Sequence, residues 1–193
     1  MAVVNVESIA KHSLTFWRSD GQSFNSWNDY FLIPTSQLAV APPPVQRITV
    51  SVPGRDGALD FTTALDGKVH YENRTGDWEF LVDHQTWNRR YNITRSGGSL
   101  GENIASPAVL SRPYDFMFLW TKLLEDLHGQ QFAVSFDDAT GGATEGVYRG
   151  RLWLSDIASD MQNSKFTIEY DFLPFRYIST ETGGGIEYTK AGF

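Results

Sequence analysis

Cysteine is absent from the chain, which removes disulfide frameworks and thiolate metal sites and leaves packing and hydrogen bonding to hold the fold. A chain of that kind suits assembly in a reducing cytoplasm. Long apolar runs are missing as well. The longest, residues 116–120, is far too short to cross a membrane, and residues 1–10 lack the basic start and apolar core of a secretory signal. Basic charge is scarce: 16 Lys and Arg stand against 23 Asp and Glu, a formal net charge of -7. Phosphate binding needs clustered Lys and Arg, so this balance argues against a tightly held nucleic acid. The 4 histidines, His12, His70, His84 and His128, lie too far apart for a local His-x-x-x-His ligand motif. No metal and no cofactor is expected.

What the chain does have is the material of a folded domain. Hydrophobic residues make up 41% and charged residues 20% of its 193 residues, enough for one core and too little chain for two comfortable domains. Aromatic residues are plentiful, 13 Phe, 8 Tyr and 6 Trp. Such a surplus either fills the core or sits in interfaces, and both readings stay open on composition alone.

Apolar residues alternate with polar ones at Phe166, Ile168, Tyr170 and Phe172, which predicts a half-buried strand that Pro174 stops. The same period of two recurs at Ile48, Val50 and Val52, at Trp78, Phe80 and Val82, and at Phe132, Val134 and Phe136, with Leu152 and Leu154 as a further short strand. One stretch has helical spacing. Phe116, Trp120, Leu123 and Leu127 lie between Pro113 and Gly129, with Asp115 at the positive end of the helix and His128-Gly129 as a stop. The turn chemistry of Val52-Pro53-Gly54-Arg55-Asp56-Gly57 predicts a tight hairpin connection. Residues 83–112 show little periodicity and read as a long loop, a length that in a compact domain is usually functional. Residues 42–44 form a stiff Pro-rich piece, and residues 183–193 read as a flexible arm.

Chemistry finds little support. Gly97-Gly98-Ser99-Leu100-Gly101 matches the Gly-x-Ser-x-Gly nucleophile elbow, with Asp115, Asp126 and His128 downstream in the required order. The elbow needs a buried strand before its serine and a helix after it, and the polar Asn92-Ile93-Thr94-Arg95-Ser96 is no such strand. Asp137-Asp138 and Glu125-Asp126 are adjacent carboxylates, and neighbours in a strand or helix do not face one another, so they read as a turn and a solvated helix end. Asn73-Arg74-Thr75 and Asn92-Ile93-Thr94 match the glycosylation pattern, which has no meaning without secretion. Arg89, Arg90 and Arg95 form a modest basic cluster that suits an acidic partner or simply a solvated loop. No catalytic residue is assigned.

Four stretches carry a resemblance to a known family: Trp27-Asn28-Asp29-Tyr30-Phe31-Leu32-Ile33-Pro34-Thr35; Val52-Pro53-Gly54-Arg55-Asp56-Gly57-Ala58-Leu59-Asp60-Phe61-Thr62; Tyr71-Glu72-Asn73-Arg74-Thr75-Gly76-Asp77-Trp78-Glu79-Phe80; and the set Leu127-His128-Gly129-Gln130, Tyr148-Arg149-Gly150-Arg151 and Asp171-Phe172-Leu173-Pro174-Phe175-Arg176-Tyr177. In this order, over residues 24–177, they resemble the N-terminal domain of siphophage distal tail proteins. The resemblance implies a mostly β fold, a β-sandwich of the tail-tube and distal-tail type flanked by a single helix, over residues 1–177, followed by a C-terminal arm, residues 178–193. It also implies six copies closed into a ring at the tail tip of a virion, assembled in the host cytoplasm, with the tail-tube protein on one side and the tail-associated hub protein on the other. DNA and the tape-measure protein pass through the channel without specific binding. An acidic lumen would repel the DNA backbone and ease its passage.

Two departures from the family matter. Only a short segment follows Tyr177 where many members carry a galectin-like domain, so carbohydrate binding is not carried over, and residues 83–112 are expanded relative to the family. The interface candidates are Trp27, Tyr30, Phe31, Arg55, Arg74, Arg89, Arg90 and Arg95. The competing readings are a tail-tube subunit, which abundance in the virion would reveal, and a carbohydrate-binding module for host recognition, which binding to host polysaccharide would reveal.

Overall fold

A computed structural model describes residues 13–51, 53–54, 56–64, 66–97, 108–136, 146–155, 164–182 and 185–190. Ten strands alternate with few helices: β1 Leu14–Arg18, β2 Ser23–Asn25, β3 Leu32–Pro34, β4 Thr49–Ser51, β5 Ala58–Asp60, β6 Arg74–Val82, α1 His84–Arg95, a 3-10 turn Ala108–Ser111, α2 Phe116–Leu127, β7 Gln131–Phe136, β8 Val147–Ser155, β9 Lys165–Thr182 and β10 Gly185–Lys190. The fold is mainly β, with all strand pairs antiparallel. Eight described strands form one continuous sheet in the order β2-β1-β7-β8-β9-β6-β3, with β10 beside β9, and β4-β5 form a separate ribbon.

Register explains the core. Pairings such as Phe16↔Val134, Leu154↔Ile168, Ile168↔Trp78 and Val82↔Leu32 put the predicted alternating apolar sets of β6, β7, β8 and β9 on one face of this sheet, whereas Ile48 and Val50 lie exposed on the separate ribbon. Phe16, Val134, Leu152, Phe166, Ile168, Phe172, Phe80 and Leu32 are all buried there. The cover is supplied by helices and loops. α2 lays Leu119, Leu123 and Leu127 into the core, and its Phe116 and Trp120 rings stack on Phe166 at 5.1 and 5.7 Å. Asp115 caps it by accepting from the Phe118 N–H, and His128 leaves the helix and accepts the Leu154 N–H on Nδ1 at 3.1 Å.

Four expectations are corrected. The segment 83–112 is not a plain loop, because residues 84–95 form a second helix, α1. Asp83 caps it through the Thr86 N–H, and its Trp87 is fully buried, stacked on Phe31 and donating from Nε1 to Arg112 O at 3.0 Å. Pro174 does not stop its strand. β9 continues past it, and the register with β8 slips between Tyr148 and Gly150, so the prolyl residue falls where a ladder N–H is not required. The expected flexible arm contains β10, paired with β9 from Gly185↔Thr182 to Lys190↔Tyr177. Asp126, read as part of a solvated helix end, is buried instead, accepting from Tyr30 Oη at 2.8 Å and from Lys122 Nζ at 2.9 Å.

Two glycines make the central strands possible. A Cβ on Gly150 would meet Phe172 Cα at 2.7 Å and the Asp171 carbonyl closer still, and one on Gly76 would run into the Tyr170 ring. β8 and β9 therefore touch at their backbones, and Tyr170 lies flat across β6.

Candidate functional site and assembly surfaces

The strap that follows β3 crosses the apolar face before leaving it. Leu38 and Val40 pack on the core, Trp78 Nε1 donates to Ala39 O at 2.8 Å, and the Ala41 N–H donates to Tyr170 Oη at 3.2 Å. Arg74 closes the return path, donating from Nη1 to Ala41 O at 3.1 Å and from Nε to Pro174 O at 2.7 Å. Between these points residues 41–73 make an excursion whose two legs are tied at the base by Glu72 N–H to Pro44 O and Gln46 N–H to His70 O, each 2.9 Å. Its outer part is the β4-β5 ribbon, which is the predicted hairpin, with Gly54 and Gly57 at positive φ.

No described residue of this excursion is buried. It exposes Val45, Ile48, Val50, Phe61, Val69 and Tyr71, whereas the rest of the described chain exposes only Leu81, Ile93, Met117 and Ile178 among large hydrophobics. A lone two-stranded hairpin is marginal in water, and contiguous exposed apolar surface marks a contact site. Among the described residues, the excursion holds most of the exposed large hydrophobics.

Two of the resemblance-bearing stretches, residues 71–80 and the set 148–151 with 171–177, meet at its base. Tyr71 meets Phe175 edge to face at 5.6 Å, and Arg74 and Arg176 both lie over the Tyr148 ring at 5.4 Å. Residues a hundred positions apart in sequence thus build one anchor, with Arg74 as its hub.

The interface candidates divide. Trp27, Tyr30 and Phe31 are core residues, each 2% exposed or less, and as such are not available to a partner. Phe31 holds a positive φ of 57 that its packing between Trp27 and Trp87 enforces. Burial pushes the Tyr30 phenol well above its ordinary value, with the Asp126 carboxylate adding to it. Arg90 lies over Phe31 at 5.2 Å and Trp27 at 6.0 Å, and desolvation lowers its pKa, helped by the neighbouring Arg89 and opposed by Asp83. Its Nη1 is buried without a hydrogen-bond partner among the described residues. Arg89 and Arg95 are exposed on α1. Arg55 lies outside the described residues.

The face of the sheet opposite the core is polar. It carries Asp77, Glu79, Glu169 and Asp171 beside Arg149, Arg151 and Lys165, with Trp153 among them. Glu79 is paired with Lys165 at 2.9 Å. Sequence reasoning missed this face because it is assembled from three strands, and no local motif signals it.

Among the described residues no group of three or more His, Asp or Glu could hold a metal. Gly97 follows helix α1 rather than the buried strand a nucleophile elbow requires, and Ser99 lies outside the described residues. No described helix is long and apolar enough to cross a membrane.

No family model matches this sequence, and no curated protein does. Among solved structures it is similar to "Crystal Structure of SPP1 Dit (gp 19.1) Protein, a Paradigm of Hub Adsorption Apparatus in Gram-positive Infecting Phages", with 16% identity, a TM-score of 0.42, and coverage of 86% of this chain and 54% of that one. The chain spans about half the length of that protein.

Proposed function

We propose that this chain is a non-enzymatic structural subunit of a phage tail tip, of the distal tail type, that closes into a six-membered ring between the tail tube and the baseplate hub. The observation that carries this reading is the excursion of residues 41–73, tied firmly at its base and burying nothing of its own. A segment of that length keeps a defined course when another surface covers it, and a second copy supplies that surface in a ring. Two of the resemblance-bearing stretches meet at the Arg74 anchor, and a third, residues 52–62, spans the outer ribbon of the excursion, which supports it.

In this role the protein acts by shape. The ring caps the tube, offers a platform to the hub protein, and leaves a channel for DNA and the tape-measure protein. A net charge of -7 suits a wall that DNA must slide past without adhering. The site of action is the virion tail tip, after assembly in the host cytoplasm.

Light scattering after size exclusion tests it. The full chain should run as a hexamer. A variant in which residues 45–71 are replaced by a short Gly-Ser bridge, which the adjacency of Pro44 and Glu72 permits, should run as a folded monomer. A full chain that stays monomeric, or a shortened variant that still forms the hexamer, would sink the reading.

A further inference from the structure

α1 presents a side that its own packing does not use. Trp87 and Thr86 face the core, while Arg89, Ile93 and Arg95 are exposed and the helix contains no acidic residue. Ile93, at 38% exposure, shares a face with Arg89 four positions earlier. Neither Arg89 nor Arg95 has an ion pair among the described residues.

The polar face of the sheet shows the opposite imbalance. Asp77 stands directly across from Glu169, and Glu169 directly across from Trp153. Like charges placed directly opposite on neighbouring strands weaken a sheet, and neither side chain is compensated by a cation among the described residues. Asp171 adds a carboxylate oxygen that is shielded from water and has no hydrogen-bond partner there. These residues line an open depression of about 410 Å³. An arginine laid into it would bridge two carboxylates and stack on an indole, which is the pairing a guanidinium makes best.

We propose that the Arg89–Ile93 face of α1 docks on the β6-β9-β8 face of a second copy of this chain, around Asp77, Glu169 and Trp153. The occupant is argued from charge: an acid-free, arginine-bearing helix on one side and an uncompensated acidic pair beside an indole on the other. Each subunit then carries one patch of each kind on different elements, which is what a head-to-tail contact requires. The inference rests on the ring reading above and adds a second contact to the one made by residues 41–73.

Because the chain has no cysteine, cross-linking between copies can be read without background. Arg89→Cys protein mixed with Glu169→Cys protein should yield a disulfide-linked mixed dimer on mild oxidation, and neither variant alone should do so to the same extent. Arg89→Glu and Glu169→Arg should each weaken association by roughly tenfold or more, and the two changes in one chain should restore it. Wild-type protein that assembles while no mixed dimer forms and both reversals leave its mass unchanged would overturn this contact and leave the ring reading standing. A wild-type monomer would overturn both.

Discussion

Single atoms decide how closely the central strands approach. Gly150→Ala drives a methyl group into the β9 backbone, where neither partner can rotate away, so it should cost more than about 2 kcal/mol in chemical denaturation. Charge at this scale has a sign that can be checked. Burial raises the Asp29 pKa, opposed by the hydrogen bond its Oδ2 accepts from the Asn25 N–H and reinforced by Asp126. A raised folded-state pKa means that the native protein holds the proton more tightly than the unfolded chain. Its stabilising contribution is therefore complete below the unfolded value of about 3.9 and is lost as pH rises through the folded value. Asp29→Asn should accordingly gain thermal stability relative to wild type at neutral pH, with the gap closing as pH falls into the acid range. The site candidates were only partly legible at this scale. Trp27, Tyr30 and Phe31 lie in or beside the apolar run Tyr30-Phe31-Leu32-Ile33, and composition alone does not separate a core aromatic from an interface one, so their burial came only with the packing. The exposed status of Arg89 and Arg95 could be read from charge alone.

At the scale of the element, legibility follows periodicity. β6, β7, β8, β9 and α2 announced themselves because each buries a regular side. α1 did not, because it buries only Thr86 and Trp87, and most of its other residues are polar, with Ile93 exposed. The signal that remained was its cap. Asp83→Ala should cost about 1 kcal/mol, and Trp87→Ala about 3–5 kcal/mol, since the indole is wholly buried and its N–H is bonded. Urea titration distinguishes the two magnitudes. β9 was legible to Phe172 and lost after Pro174, because a rule about proline in regular ladders does not foresee a slip in register.

At the scale of the molecule, the excursion of residues 41–73 should betray its partner by hydrogen exchange. In dispersed subunits the amides of Thr49–Ser51 and Ala58–Asp60 should exchange far faster than those of β8 and β9, and assembly should slow them. Equal exchange rates in the two states would remove the excursion from the interface. The strand order has a separate consequence, for the timing of synthesis. β9 joins two groups of strands, β2-β1-β7-β8 on one side and β6-β3 on the other, and it follows all of them in the sequence. A ribosome must therefore emit every strand of both groups before the piece that unites them. Until it emerges, β8 and β6 present bare edges, and the pairing that ends this exposure is long-range and slow. The native sheet is therefore completed as a late event.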